Sequence, residues 1–317
     1  MSKILITGGT GFLGKRLGKR FHQMGHSVVL TGRNNKQNYL ASQFSGCEAL
    51  AMDVTHIESV RDIVSQVGPD AIIHAAATKF VDLSEKQPME AIDVNVVGSQ
   101  NVARVAIDKA VDLVIGISTD KASPPVRNTY GMTKALMERL FTAMDGKTPT
   151  HFLCVRYGNV AWSTGSVLPI WRRMHRETGS ISTTGPEMLR FFFSVDEAVE
   201  LVVTAFENAD RLHGQVLARA MKAAKMEDIL KVWVREKGGS YQRAPGRPGE
   251  RDVEFLIGEQ ELPYTRQEIM HGIPHYIISF NRKVEHAIQE VLSSGNAQRL
   301  TEEEILAFID NPPQEEL

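Results

Sequence analysis

A chain of 317 residues with a formal net charge of -2 and 42% hydrophobic residues has enough length for one large or two modest domains around a real core. That balance excludes disorder and bulk electrostatic attraction to nucleic acid or membrane, and leaves specific small-molecule partners as the expectation. The two cysteines, Cys47 and Cys154, are too isolated for a disulfide framework or a zinc site and fit a reducing cytoplasm; no apolar run reaches the roughly 18 residues of a membrane span, and a strand pattern follows Met1 almost at once, so neither a span nor a removable leader is expected.

Short apolar runs then alternate with helical periodicity: Ile4-Leu5-Ile6, Val28-Val29-Leu30, Ala49 to Met52, Ala71-Ile72-Ile73, Leu113-Val114-Ile115 and Phe152 to Val155. Continuous apolar strands are buried on both faces, and intervening helices make their sheet parallel. The pattern predicts an α/β fold, a doubly wound parallel Rossmann sheet over residues 1–156 with a smaller C-terminal substrate-binding lobe over 157–317. Directly after the first strand comes Thr7-Gly8-Gly9-Thr10-Gly11-Phe12-Leu13-Gly14. Its glycines permit a tight turn, close approach of backbone to a pyrophosphate and close helix packing, with a helix N-terminus facing the anion. The second strand runs out into Thr31-Gly32-Arg33-Asn34-Asn35, which has no carboxylate for ribose hydroxyls but an arginine able to pair with a 2'-phosphate. NADP is therefore favoured over NAD. Asp53-Val54 follows the third strand and could meet the adenine amino group, or simply cap a helix. Ala75-Ala76-Ala77 follows the fourth, small enough for backbone to pack against a cofactor, as it would be in any crowded turn.

The fifth strand ends in Ser118-Thr119-Asp120-Lys121, and Tyr130 and Lys134 follow at i and i+4 on a predicted helix. Both side chains then share one face. An ammonium beside the phenol favours the phenolate, so Tyr130 can take a proton from an alcohol as hydride leaves its carbon, and the Thr119 hydroxyl can orient the substrate oxygen. Asp120 and Lys121 exceed what alcohol oxidation needs. A carboxyl acid beside an amine base is what removing water from a sugar would require. After Tyr157 come loops rich in Gly, Ser, Thr and Arg, helices near Val195 to Asn208 and Met226 to Lys237, and turn-rich segments at Gly238-Gly239 and 244–249. Thr301 to Glu304 reads as a capping box for a final short helix. His22, His26, His56 and His74 are scattered without ligand spacing, so no metal is expected.

These residues resemble the extended short-chain dehydrogenase/reductase superfamily, and within it the soluble UDP-N-acetylglucosamine 4,6-dehydratases, including the 5-inverting kind. The resemblance runs through the glycine loop, His74 to Lys79, Asn95 to Asn101, Ser118 to Ala122, Arg156 to Val160, Gly165 to Pro169, Pro186 to Phe191, Arg247 to Glu250 and the tail from Ser293 to Ile309. The Ser-Thr-Asp-Lys string is its specific part. It implies an NADP-dependent lyase in which Tyr130, held with Thr119 and Lys134, starts oxidation at carbon 4. Lys121, kept partly neutral, then takes the carbon 5 proton, and Asp120, held protonated, donates to the departing 6-hydroxyl. It further implies UDP-sugar contacts from Lys79, Asn159, Ser166, Val167, Arg190, Arg247 and Glu250, and a homo-oligomer paired through the Tyr-Lys helix. The sequence departs from that pattern in the longer spacing between Lys121 and Tyr130, in Met132 where the family has Ala, and in Ala161-Trp162-Ser163. These border the sugar site and leave the exact sugar, and inversion or retention at carbon 5, open. A nucleotide-sugar 4-epimerase would share everything except a use for Asp120 and Lys121, and a non-catalytic NADP-binding regulator would not need Tyr130 and Lys134.

Overall fold

The computed structural model describes residues 1–246 and 249–313. The apolar runs of the first half form β1 (Lys3–Thr7), β2 (Ser27–Gly32), β3 (Glu48–Ala51), β4 (Ala71–His74), β5 (Leu113–Ile117) and β6 (His151–Arg156), all parallel in the order β3-β2-β1-β4-β5-β6. Connecting them are α1 (Gly14–Gln23), α2 (Asn35–Ser45), α3 (Ile57–Val67), α4 (Val81–Lys86), α5 (Pro88–Ile92), α6 (Gly98–Asp108) and α7 (Thr129–Met144). Right-handed crossovers between parallel strands put such helices on both faces of the sheet, which is why Ile4, Leu5, Ile6, Ile72, Ile73, Val114 and Ile115 are fully buried. Asn34 caps α2 by accepting from the Gln37 amide, and Asn128 caps α7 by accepting from the Gly131 amide at 2.7 Å, so both helices begin where a short polar side chain can satisfy a free N–H.

Beyond β6 the chain forms β7 (Asn159–Val160), α8 (Val167–Thr178), β8 (Ser180–Thr184), β9 (Leu189–Phe193), α9 (Val195–Glu207), α10 (Ala209–Leu212), β10 (Val216–Arg219), β11 (Lys222–Lys225), α11 (Met226–Lys237), β12 (Ser240–Ala244), β13 (Phe255–Ile257), β14 (Thr265–Met270), β15 (Ile273–Ile278), β16 (Leu292–Ser293) and α12 (Glu302–Asp310). Three small sheets, β11-β9-β7, β12-β8 and β13-β16, build the expected lobe. The rest of the second half does not stay in it. β10 pairs in parallel with β6, and β15 and β14 continue the sheet antiparallel to nine strands. The cause is local: Val216, Leu217, Ile277 and Ile278 are apolar on neighbouring positions and need cover on both faces, which only the large sheet provides. The boundary at 157 thus divides the sequence rather than the sheet. A second apolar cluster holds the lobe together through Trp171, Trp233, Phe192 and, from α12, Ile305 and Ile309. Thr301 and Glu304 form the capping box that starts this last helix. Among the described residues no helix is long and apolar enough to cross a membrane.

Where sheet, Tyr-Lys helix and lobe meet, Arg156 is completely buried. Its guanidinium donates to Glu138 of α7 at 2.9 and 2.6 Å, to Glu261 at 2.8 and 2.8 Å, and to the Leu256 carbonyl at 2.9 Å. Burial disfavours its charge, but the two carboxylates outweigh that and hold it protonated. Five bonds from one fork tie three parts of the fold together.

Candidate active site

At the C-terminal edge of the parallel strands lies a cleft of about 980 Å3. Its first wall is the glycine loop: Gly8, Thr10, Gly11, Phe12, Leu13 and Gly14 all line it. A Cβ on Gly8, at φ 64°, would stand 2.6 Å from the Ala76 amide nitrogen, and one on Gly14 2.4 Å from the Gly8 carbonyl. Glycine is the residue that fits both places. A Cβ on Gly11 would meet only the Gly8 carbonyl, at 3.2 Å, which leaves a cradle before the N-terminus of α1. Arg33, Asp53, Val54, Ala75, Ala76 and Ala77 line the same half of the cleft. Asp53 also makes the local turn, accepting from the Thr55 amide at 2.9 Å and hydroxyl at 2.8 Å. Burial alone would raise its carboxyl, but the two bonds to Thr55 and the charge of Arg33 bring it below the usual range.

Thr7, expected to touch the cofactor, does not reach the cleft. It is fully buried beneath the loop, where its hydroxyl accepts from the Ala76 amide at 3.2 Å and donates to His74 Nδ1 at 2.8 Å. Strand register explains this, because Thr7 of β1 lies beside His74 of β4 and both point into the sheet's packing layer. The series continues from His74 Nε2 to the Ser99 hydroxyl at 3.0 Å, and from Ser99 to the Asn95 carbonyl at 2.6 Å. Asn95, in a π-helical turn over Asp93–Val97, donates at 3.0 Å to the Thr133 hydroxyl, which donates at 2.8 Å to the Tyr130 carbonyl. Burial, helped by the Lys134 charge, lowers His74 to about 3, so its ring is neutral.

The cleft floor carries Thr119, Lys121, Tyr130 and Lys134. Asp120 lies just behind them and is fully buried. Its Oδ1 accepts from the Thr119 hydroxyl at 2.9 Å and from Lys121 Nζ at 3.0 Å, while Oδ2 has no hydrogen-bond partner among the described residues. Gly158 makes room for it, since a Cβ there would stand 3.2 Å from Asp120 Oδ2 and 2.6 Å from Phe191 Cβ. Lys121 Nζ also donates to Asn159 Oδ1 at 3.1 Å and stands 3.7 Å from Glu254 Oε1.

Two electrostatic expectations change here. Lys121 was expected to be partly neutral; burial does push it that way and Arg190 assists, but Asp120 and Glu254 prevail and raise it above an ordinary lysine. Tyr130 was expected to ionise more easily through Lys134. Instead, burial pushes its phenol up to about 12, opposed by the Lys121 charge and a hydrogen bond with Thr119. Lys134 sits deeper, its Nζ 3.0 Å from Met137 Sδ, and burial lowers it to about 8. The cation acting on the phenol is thus that of Lys121.

The lobe side of the cleft contains Asn159, Ser166, Val167, Arg190 and Glu250, with Lys79 on the opposite rim. Ser166 stands at the N-terminus of α8 and its buried hydroxyl has no partner among the described residues. Arg190 is engaged by its own surroundings, donating to the Leu189 carbonyl at 2.9 Å and reaching Met188 Sδ at 2.8 Å. Glu250 accepts from the Thr184 hydroxyl at 2.9 Å. Lys79, exposed at the rim, is crowded enough that desolvation brings its ammonium to about 8. Arg247 lies outside the described residues. Glu254 belongs to no motif in the sequence, because no local spacing ties it to Lys121, 133 positions earlier; only the folded chain brings them to 3.7 Å. The altered loop is held firmly, with Trp162 at φ 63° and its indole N–H donating to the Phe308 carbonyl of α12 at 2.6 Å.

With this geometry in place, comparison with known proteins places the chain among its relatives. The family described as polysaccharide biosynthesis protein matches residues 4–273. A UDP-glucose 4-epimerase of Rickettsia bellii is 31% identical over 97% of this chain and 95% of its own. The X-ray structure of Pen from Bacillus thuringiensis superimposes with a TM-score of 0.89 at 27% identity, covering 97% of this chain and 96% of that one. A UDP-glucose 4-epimerase from Stenotrophomonas maltophila, solved with NAD and formylated UDP-arabinopyranose, shares the fold at a TM-score of 0.68 and 18% identity over 79% of this chain and 88% of that one. The chain belongs to the polysaccharide biosynthesis protein family, and is a nucleotide-sugar-modifying enzyme of the extended short-chain dehydrogenase/reductase type.

Proposed function

We propose that this enzyme is an NADP-dependent 4,6-dehydratase that converts UDP-N-acetylglucosamine to a UDP-4-keto-6-deoxy-N-acetylhexosamine. The observation that carries the reading is the Asp120–Lys121 pair, 3.0 Å apart, with Lys121 on the floor of the cleft that also holds Tyr130 and Asp120 buried just behind it. Exchange of hydride at carbon 4 alone has no use for such a pair. The cradle at Gly8, Gly11 and Gly14 fits a dinucleotide, and Arg33 at its edge supports a 2'-phosphate. When bound, NADP supplies a reversible hydride store for the sugar.

The chain's own residues move the protons. Tyr130, oriented with Thr119, takes the proton of the 4-hydroxyl as the phenolate, after releasing its own proton through the open cleft under the Lys121 charge. Transfer of one proton from Lys121 Nζ to Asp120 Oδ1 then yields a neutral amine and a carboxylic acid together. The amine removes the carbon 5 proton that the new ketone acidifies, and the acid gives its proton to the leaving 6-hydroxyl. One water departs and the pair returns to its ionised form; Lys121 then gives a proton back to carbon 5 as the stored hydride would return to carbon 6, and the proton held by Tyr130 restores the lysine. Ser166 and Val167 at the start of α8 would meet the diphosphate, with Asn159, Lys79, Arg190, Arg247 and Glu250 as further substrate contacts. Two copies would pair through α7, whose Met132 and Leu136 are 55% and 53% exposed; light scattering that shows only monomer would remove that part.

Incubating the purified protein with UDP-N-acetylglucosamine and weighing the product by mass spectrometry tests the reaction. Loss of one water is expected. The similarity to the Rickettsia bellii protein favours the second reading, 4-epimerisation, which leaves the mass unchanged. Extraction of bound nucleotide from wild type and Arg33→Ala tests the cofactor: NAD(H) alone, or a preference indifferent to Arg33, would overturn NADP.

A further inference from the structure

At the far end of α7 from the cleft, three residues distant in sequence converge on one point. Asp145 follows the last turn of α7, His151 opens β6, and His213 lies between α10 and β10. His213 Nδ1 is 2.8 Å from Asp145 Oδ2, and His151 Nδ1 is 3.6 Å from Asp145 Oδ1. The two imidazole rings face each other with centroids 4.3 Å apart and planes 37° from parallel. One ligand-capable atom from each of the three residues lies within 4.8 Å of the others.

We infer that these three side chains form a binding site for a borderline divalent transition metal such as Zn2+. Two imidazoles and one carboxylate are a donor set such ions accept, whereas Mg2+ and Ca2+ want more oxygen than a single carboxylate supplies. Bonds of about 2.0–2.1 Å in a tetrahedral site put ligand atoms about 3.3 Å apart, so the histidines must close in slightly. They are free to do so, because their side chains are 46% and 36% exposed. Asp145 is the fixed member: its side chain is 9% exposed, and Oδ1 accepts the Phe152 amide at 3.0 Å, which aims Oδ2 at His213. Gly214 keeps the approach clear, since a Cβ there would stand 3.0 Å from Asp145 Oδ2. On binding, the metal takes the place of the hydrogen between His213 Nδ1 and Asp145, and the ring carries its one hydrogen on Nε2, so it ligates as a neutral imidazole. Sixteen residues of α7 separate this point from the cleft by about 24 Å at 1.5 Å per residue. The metal therefore clamps the end of the Tyr-Lys helix to the first residue of β6 and to the turn between α10 and β10, and takes no part in chemistry on the sugar. The site is independent of the proposed dehydration.

Calorimetric titration of the full-length, untagged, chelator-treated protein with ZnCl2 tests this. One Zn2+ per chain with a dissociation constant of about 10 μM or tighter is expected, weakened about tenfold or more in His151→Ala and in His213→Ala. Zn2+ should also raise the unfolding midpoint of the wild type and not of either variant. His151→Ala leaves the His213–Asp145 bond in place, so it reports on the metal even if His213→Ala unfolds. No binding of one equivalent at about 1 mM Zn2+, or equal affinity and equal thermal shift in wild type and His151→Ala, overturns the site.

Discussion

Replacing Arg156 by methionine keeps the length of the side chain and removes its charge, and the structure fixes what should follow. Glu138 and Glu261 lose four charge-assisted hydrogen bonds between them, and the Leu256 carbonyl loses a fifth. Adding five bonds at face value would overstate the cost, because the wild-type guanidinium gives up its hydration to make them. The relevant quantity is the penalty of leaving carboxylates buried without their partner, about 3–5 kcal/mol. Glu138 and Glu261 are 1% and 3% exposed, so water cannot take over. Urea denaturation followed by circular dichroism should therefore show Arg156→Met less stable by that amount. The triple variant Arg156→Met, Glu138→Gln, Glu261→Gln should regain most of the loss, since an uncharged cluster has no such penalty. A single-variant loss under about 1 kcal/mol, or a triple variant worse than the single one, would refute the argument from uncompensated charge.

Tyr130→Phe should suppress all turnover by about 100-fold or more, while Asp120→Asn should mainly suppress loss of water and let reduced cofactor accumulate on the enzyme, visible by its fluorescence; full activity of Asp120→Asn would make the aspartate structural. Glu254 is one of two carboxylates that raise Lys121, so Glu254→Gln should lower the lysine's pKa. Activity needs one proton shared by the Asp120–Lys121 pair and falls as pH rises through the lysine's pKa, so the alkaline limb of the pH profile should move to lower pH; an unmoved limb would show that Glu254 does not act on the base. Turnover in heavy water should place deuterium at carbon 5 of the product, and the proton couplings of a product made in ordinary water should report inversion; a product without deuterium in heavy water would remove Lys121 as an exchangeable base.

The parallel sheet was legible because each of its first six strands is an apolar run that only a doubly covered sheet can bury, and the glycine loop because Gly8 and Gly14 leave no room for a side chain. Tyr130 and Lys134 followed from helix spacing alone. What spacing does not carry is where a side chain's head comes to rest. Lys134 reaches Met137, and the charge felt by the phenol comes from Lys121 across a chain turn. Glu254 meets Lys121 only because the lobe folds back over the cleft, and β15 joins the main sheet through antiparallel pairing that no local pattern announces. The Asp145, His151 and His213 cluster was hidden in the same way, each member being unremarkable in its own segment.

The hydrogen-bond series beneath the glycine loop has a direction. It begins at the Ala76 amide, passes through Thr7, His74 and Ser99, and ends on the Asn95 carbonyl. Because Ser99 gives its proton to that carbonyl, His74 must carry hydrogen on Nε2 and accept from Thr7 on Nδ1. A ring lowered to about 3 by burial and Lys134 keeps that tautomer throughout the range in which enzymes work. Both terminal groups are backbone, an amide too weakly acidic to give up its proton and a carbonyl too weakly basic to take one. The series is consequently a one-way strut rather than a wire: through the Asn95 side chain and Thr133 it fixes the fourth-strand turn relative to the start of the Tyr130 helix, yet it cannot relay charge and offers the Tyr130 phenol no proton route.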